Sequence, residues 1–348
     1  MIELYTGFDT LVAPIFVNLG EFDSYPIPAG NSETGRFGGY STYNFQAYKT
    51  LSRISGPRIV GLAVYPNNGY PLEADTQGLI TFWDDDNYEQ IYLRFLYDGS
   101  LAVYSGNHNG TGIYSPVLLA KTSINIMVVN AWQYIEFSAT IGVNGSFEVR
   151  LGQQTILSGS GVNTMNPLST NANTNRVQIY SYGASVFLDD LYILNTSGSY
   201  NNGFLGEQKV LTTVPASNVS VQFLSNGTAG NWQNLQTNDG DVTYNYSATS
   251  GDTDYFNMLT LGSYESQSFK GNEIQATKTT IIARKDDVGE RDVANIVTSG
   301  MTVDQFNDNV LLSTYQSFSN YMEVDPATDA PWTPAAVNAL EVGYKLTA

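Results

Sequence analysis

The 348-residue chain has no cysteine and a single histidine, His108. The first absence excludes disulfide frameworks, thiolate nucleophiles and cysteine-ligated zinc, and it removes the residue type that reports a redox compartment. The second leaves any Ser-His-Asp arrangement or histidine-rich metal site hanging on one side chain. Charge is also sparse, at 14% of residues against about 25% in an average soluble domain. It is lopsided as well: Lys and Arg number 15, Asp and Glu 33, and the formal net charge is −18. A field of that sign repels phosphate backbones and anionic lipids, and no Lys/Arg cluster gathers the cations into a patch. Nucleic acid and membrane surfaces are therefore not expected partners. Long apolar runs are missing too. The stretch from Leu11 to Leu19 is short, contains Pro14 and follows Glu3 and Asp9, so neither a cleaved secretion signal nor the roughly 20-residue span of a membrane helix is expected.

What the chain does have is apolar and aromatic side chains, 42% and 13% of residues, with 24 Tyr, 16 Phe and 4 Trp. Helical periodicity is almost absent. Short runs of β-branched and aromatic residues recur instead, each closed by Gly, Asn or Asp. Gly78 to Trp83 runs into Asp84-Asp85-Asp86-Asn87, and Ile91 to Tyr97 meets Leu101 to Tyr104 across Asp98-Gly99. That dipeptide suits a type I′ hairpin, in which both central residues take positive φ. In Tyr134 to Ala139 the residues Ile135, Phe137 and Ala139 alternate with Glu136 and Ser138. After Asn144-Gly145, Phe147, Val149 and Leu151 alternate with Glu148 and Arg150. Such arms predict an antiparallel hairpin with one buried and one solvated face. Val186 to Leu194 is apolar on both faces apart from Asp189 and Asp190; it reads as a central strand with these two carboxylates on opposite faces.

Strands at this spacing without intervening helices predict an all-β protein. The expected layout is a sandwich over 1–195, a linker over 196–203 and a smaller β-rich domain over 204–348. The linker, Thr196 to Gly203, has neither charge nor apolar pattern. In the second domain strands are expected at Lys209 to Val214, Val219 to Leu224 and Thr279 to Lys285. One short C-terminal helix is expected, with Thr333 as N-cap, Pro334 as first residue and Gly343 ending it.

Three kinds of chemistry have candidate residues in the sequence. Retaining glycoside hydrolysis needs two carboxylates about 5–5.5 Å apart. Glu21-Phe22-Asp23 starts such a pattern on one strand face, but the next same-face residue is Tyr25, and no full set is found. Hard oxygen ligands of the kind Ca²⁺ takes gather at Asp84, Asp85 and Asp86, the favoured candidate metal residues, and more loosely at Asp239, Asp241, Asp252 and Asp254. Neither group has the spacing of an EF-hand loop. Sugar recognition has a candidate in the loop Ser105 to Gly112, with Asn107, His108 and Asn109 as polar partners and Tyr104 and Tyr114 as flanking rings. Each of these has a plainer reading: solvated turn carboxylates, and the Gly/Asn richness of any long β-β loop.

Trp132-Gln133-Tyr134-Ile135-Glu136, the hairpin on Val143-Asn144-Gly145, and Val186 to Ile193 resemble the concanavalin A-like (laminin G-like) jelly roll. The rest of the chain adds Phe204-Leu205-Gly206-Glu207, Trp232, Asp252-Thr253-Asp254-Tyr255, Glu323-Val324-Asp325-Pro326, Trp332-Thr333 and Val337-Asn338-Ala339-Leu340. With these it is similar to a group of tailed-bacteriophage virion proteins in which such a domain is joined to a second β-rich one. The resemblance implies a non-enzymatic structural protein on the outside of a virion assembled in the host cytoplasm, as tail or fibre component or head decoration. It implies contacts with other virion proteins, homo-oligomerisation and host adhesion, with a lectin-like, glycan-reading module as the alternative. The acidic triad of the hydrolase members is missing, so neither catalysis nor a cofactor is carried over, and Ca²⁺ stays open.

Overall fold

A computed structural model describes residues 1–8, 22–23, 30–32, 35–37, 41–72, 77–106, 116–181, 185–227, 230–261 and 273–348. It divides into two compact units, the first running to Leu211 and the second from Thr212 to Ala348. Among the described residues the first unit has fourteen strands: β1 (Ile2–Thr6), β2 (Gly30–Ser32), β3 (Ser41–Tyr43), β4 (Gln46–Ile54), β5 (Arg58–Pro66), β6 (Ile80–Trp83) and β7 (Glu89–Phe95), then β8 (Leu101–Ser105), β9 (Val117–Lys121), β10 (Gln133–Thr140), β11 (Gly145–Leu151), β12 (Gln154–Val162), β13 (Thr174–Tyr180) and β14 (Val186–Asn195). They form a back sheet in the order β12-β11-β10-β5-β14-β3-β2, with β1 also on β14, and a front sheet in the order β4-β13-β6-β7-β8-β9. All pairings are antiparallel. Neighbours in each sheet are often far apart in sequence, as β5 and β14 are, and this crossing of strands between two layers is the jelly-roll sandwich. The first unit is a jelly-roll sandwich of this kind.

The alternation read from the sequence fills its interior. In the β10–β11 hairpin Ile135 lies opposite Leu151, Phe137 opposite Val149 and Ala139 opposite Phe147. From the front sheet Phe82 meets Phe137 with parallel rings 5.1 Å apart, a contact worth about 0.5–1.5 kcal/mol beyond its buried area. The β7–β8 connection differs from the expected type I′ turn. Only Gly99 takes positive φ, at 73°, and its N–H bonds to Leu96 O at 3.0 Å while Leu96 N reaches Ser100 O at 2.9 Å. That is a longer hairpin loop with glycine in the left-handed position. Asp98 is thereby free to cap the loop. Its carboxylate accepts from Ser100 Oγ at 2.5 Å and from Lys121 Nζ at 2.8 Å.

β14 is the central strand expected, with β5 on one side and β1 and β3 on the other, but its two aspartates depart from simple alternation. Asp189 pairs with Ala63 and Tyr192 with Gly61, so β14 carries one extra residue, and Asp190 takes a φ of 48°. This bulge lets both carboxylates reach one residue: Asp189 Oδ2 accepts from Arg36 N at 2.9 Å, and Asp190 Oδ2 from Arg36 Nη1 at 3.1 Å. It also sends Tyr192 outward over Gly61, where a Cβ would stand 2.2 Å from the Tyr192 ring. No residue but glycine fits there.

The chain after β14 lies against this outer face. Gly206 N donates to Glu136 Oε1 at 2.8 Å, Leu205 N to the Tyr192 hydroxyl at 3.3 Å, and Val210 N to Asp190 Oδ1 at 2.8 Å. The Tyr192 hydroxyl also donates to Glu136 Oε1. Two expectations are corrected here. Lys209 to Val214 is a hydrogen-bonded strap instead of a strand, and Glu136 is buried at 1% exposure because the strap roofs its face.

One buried ion pair ties the layers at an end of the sandwich. Arg58, fully buried at the start of β5, pairs with Glu3 of β1, donates through Nε to Thr174 Oγ1 of β13 at 2.9 Å and bonds Ser52 O of β4. Glu3 Oε1 also accepts from Ser52 N at 3.2 Å. Back-sheet strands β1 and β5 are thus joined to front-sheet strands β4 and β13.

Among its described residues the second unit has β15 (Pro215–Ser220), β16 (Leu224–Asn226), β17 (Tyr244–Tyr246), β18 (Thr253–Met258), β19 (Thr277–Ala283), β20 (Asp292–Ser299), β21 (Thr302–Gln305), β22 (Asn309–Val310), β23 (Gln316–Met322) and β24 (Glu341–Leu346), with a 3-10 turn at Gln233–Leu235 and one short α-helix, α1 (Pro334–Asn338). Its main sheet runs β15-β18-β24-β20-β21, with β22 on β20, beside the pairs β16–β17 and β19–β23. Phe256, Val293, Leu311 and Tyr344 form one apolar cluster, and Val297, Met322, Trp332 and Leu340 another. Thr333 caps α1 as expected, its Oγ1 accepting from Ala336 N at 3.1 Å. Gly343 does not end the helix. It sits in β24, where a Cβ would lie 2.0 Å from Asp254 O.

Two stability outcomes follow. Arg58→Ala strands the Glu3 carboxylate in a dry site and should cost about 3–5 kcal/mol in urea unfolding, whereas Arg58→Met combined with Glu3→Met should cost clearly less. At Asp98, desolvation would raise the pKa, but hydrogen bonds from Lys121 and Ser100 outweigh it and hold the group at about 2, against 3.8 ordinarily. Its contribution to stability is full above about 3.8 and fades as pH falls toward about 2. Asp98→Asn should remove that part of the acid dependence of the melting temperature.

Candidate functional site

In the front sheet Ile80, Phe82, Ile91, Leu93, Val103, Val177 and Ile179 are buried apolar residues of the interior, so the residues alternating with them share the outer face. The pairing aligns Tyr48, Gln178, Thr81, Tyr92 and Tyr104 in one row across five strands, with Thr50, Arg176 and Trp83 in the next. A strand face turned away from the core usually reads as small and polar. This one carries four aromatic rings and the guanidiniums of Arg176 and Arg94. Tyr92 and Tyr104 stack with centroids 5.2 Å apart and planes 14° apart.

Arg176 stands in the corner made by Tyr48 and Trp83, whose rings meet edge to face at 6.2 Å. Its guanidinium carbon is 5.3 Å from the Tyr48 centroid and 4.8 Å from that of Trp83, within cation–π range. Six other cations of this unit pair with carboxylates: Arg36, Lys49, Arg53, Arg58, Lys121 and Arg150. Arg176 instead donates from Nη1 to Asn87 Oδ1 at 2.7 Å, and its Nε has no acceptor. Burial lowers its pKa from the ordinary arginine value, only partly offset by Tyr48, Asp84 and Asp23, and it stays charged. Tyr48 and Arg176 are half-buried and Asn87 is exposed, whereas Trp83 is buried at 7% exposure and Tyr92 at 1%, so the Tyr48 ring, the amide and the guanidinium meet solvent while Trp83 backs them.

The expected metal residues lie at this rim with separate roles. Asp84 is buried and takes four hydrogen bonds: Asp86 N at 3.0 Å and Tyr88 N at 2.8 Å on Oδ1, Gln90 Nε2 at 2.6 Å and Ser169 Oγ at 2.5 Å on Oδ2. Asp85 pairs with Arg53 at 3.1 Å, and Asp86 accepts from Asn171 Nδ2 at 2.8 Å. Among the described residues no group of three or more His, Asp or Glu side chains converges as metal ligands. The looser acidic group is also dispersed. Asp254 is buried, accepting from Gln222 N, Phe223 N, Asn231 Nδ2 and the Tyr344 hydroxyl, while Asp241 pairs with Arg284.

Of the expected sugar-binding residues, Tyr104 is in the aromatic row just described; Asn107, His108, Asn109 and Tyr114 lie outside the described residues. The sequence reading missed Tyr48, Trp83, Arg176 and Gln178. Their signal was there in Thr81-x-Trp83, Tyr92-x-Arg94 and Arg176-x-Gln178, aromatic or cationic residues at outward positions of buried strands.

The chain matches no protein-family model and no curated protein. Among solved structures it is similar to an alginate lyase, at 9% identity and a TM-score of 0.37 over 56% of this chain and 96% of that one. An endo-β-1,4-glucuronan lyase from the fungus Trichoderma reesei gives 10%, 0.38, 56% and 95%. A galectin of Caenorhabditis elegans gives 14%, 0.28, 42% and 92%. Likeness at these levels transfers no activity, and the jelly-roll assignment rests on the sheet order above. The sandwich half of the family resemblance is supported; the virion half is not. The expectation of a non-enzymatic chain is corrected by the lyases among these matches. A missing carboxylate pair bears on glycoside hydrolysis alone, and elimination requires no such pair.

The Asp84 geometry has a measurable consequence. Asp84→Ala leaves four donors without their acceptor and should lower stability by about 3 kcal/mol in denaturant unfolding. With both Asp84 oxygens engaged inside the protein, adding Ca²⁺ or a chelator should leave the wild-type melting temperature unchanged.

Proposed function

We propose that the first unit binds carbohydrate on the outer face of its front sheet. The observation that carries this reading is the Tyr48–Trp83 corner with Arg176 held in it. The half-buried Tyr48 ring offers a flat face to the C–H side of a pyranose, and the buried Trp83 holds Arg176 beside it. The Arg176 donors, the Asn87 amide and the carboxylates of Asp85 and Asp86 offer partners of both kinds to its hydroxyls. The favoured ligand is a neutral saccharide. The Asp84–Asp86 turn beside the guanidinium and a net charge of −18 oppose a polyanion at short range, even where salt screens beyond about 8–10 Å. A glycan array with intact protein, followed by calorimetry on the best ligand, tests this. Arg176→Ala and Tyr48→Ala should each weaken binding roughly tenfold or more, about 1.4 kcal/mol, and polyuronates should bind less well than neutral polymers. An array without hits, or variants that bind like wild type, would overturn it. Ultraviolet absorbance of unsaturated sugar ends in the same mixtures reads whether a bound polymer is also cut.

A second reading concerns the second unit. Its β16–β17 hairpin exposes Leu224 at 60%, Val242 at 72% and Tyr246 at 48%, an apolar surface of the kind that packs against other proteins. With the motif order of the chain, this favours attachment to neighbouring copies or to other proteins of a tailed-phage particle, where a saccharide-binding unit would serve adhesion. Cross-linking mass spectrometry of purified particles checks it. Crosslinks from this hairpin to another virion protein are expected, and absence of the chain from particles would end the reading.

A further inference from the structure

The back sheet carries a second set of half-buried rings on its own outer face. Phe187 of β14 lies opposite Tyr65 of β5, and their rings are near-parallel, 14° apart with centroids at 5.9 Å. Tyr43 of β3 extends the row on one side at 5.3 Å from Phe187. Trp132, next to β10, extends it on the other at 5.3 Å from Tyr65. All four rings are half-buried, so each keeps contact with both protein and solvent. Nothing in the front-sheet site uses them.

Three asparagines rim the Tyr65–Trp132 end. Asn67 N donates to Ser185 O and Asn130 N to Pro66 O, both at 2.8 Å. Asn68 N donates to Asn130 Oδ1 at 2.9 Å and Asn68 Nδ2 to Asn67 Oδ1 at 3.1 Å. Asn68 and Asn130 take positive φ, 56° and 60°, a conformation asparagine tolerates better than most residues. These bonds fix the amides. Among the described residues Asn68 Oδ1 and Asn130 Nδ2, on exposed residues, make no bond, which offers one acceptor and one donor beside the rings.

We propose that this row is a second saccharide site, for a neutral sugar chain, on the sheet opposite the first. Ring faces in sequence match the apolar faces of successive sugar rings. A fixed amide acceptor and donor match hydroxyls, and an uncharged rim gives no preference for an ionised ligand. The inference goes beyond the front-sheet reading and does not depend on it.

The test uses the full chain with soluble neutral oligosaccharides (cello-, xylo- and malto-hexaose), read by calorimetry and by ¹⁹F resonances of fluorotryptophan incorporated at all tryptophans. In the Arg176→Ala background one binding event should remain, and it should shift the Trp132 resonance. Trp132→Ala should weaken that event roughly tenfold or more, and Asn68→Gly, which removes the amide and keeps the left-handed backbone, several-fold. If Trp132→Ala fails to fold, the Trp132 resonance and Asn68→Gly carry the test. A Trp132 resonance unmoved by every sugar, or Asn68→Gly binding like wild type, overturns the proposal. So does a Trp132→Ala protein whose only change, by sedimentation, is in self-association, which would make the row a contact between copies. Loss of sugar binding in Arg176→Ala with the Trp132 resonance also silent counts against this site. A Trp132 response surviving when front-sheet binding is absent supports it alone.

Discussion

The Arg58–Glu3 pair is the constraint on which the first unit turns. Two sheets stacked about 10 Å apart are held mainly by non-directional apolar contact, which tolerates sliding. A guanidinium with no exposure that reaches Glu3, Ser52 and Thr174 at once does not. Burying the two charges costs several kcal/mol per ion before their attraction is counted, so the pair is a modest net source of stability. It is a strong source of register, because any slip of β1, β4, β5 or β13 leaves a charge unpartnered. The rows of outward side chains on both sheets inherit their alignment from that register.

A second device operates where β14 carries its extra residue. The bulge turns Asp189, Asp190 and Tyr192 toward one side, and the strap from Leu205 to Val210 donates N–H groups to the Tyr192 hydroxyl, Glu136 and Asp190. Burial pushes the Tyr192 and Tyr134 hydroxyls well above the ordinary pKa of 10, and they remain neutral donors. The polar end of the back-sheet face is therefore closed by the protein itself, while the aromatic end around Tyr65 and Phe187 stays half open.

How much of this was legible depends on range. The β10–β11 alternation, the central placement of β14 and the Thr333 cap are local patterns, and the residues spelled them out. The bulge was not legible, because Asp189-Asp190 reads as plain alternation until pairing with Ala63 and Gly61 is known. Nor was the burial of Glu136, which depends on a strap whose sequence, Leu205-Gly206-Glu207, has no period. The candidate site suffered most. Tyr48, Thr81, Tyr92, Tyr104 and Gln178 lie up to 130 positions apart and become one row only through strand register. Asp84 misled for the opposite reason: neighbours in sequence suggested a shared ion, whereas the turn spends each carboxylate on a different partner.

The rings of the front sheet and those of the back sheet point away from each other through a slab only two layers thick. A single stiff polymer lying flat cannot cover both without wrapping around an edge. Occupied on both sides, one molecule would act as a rivet between two separate strands, and in a dense matrix such rivets gain hold through high local concentration instead of through tight individual grip.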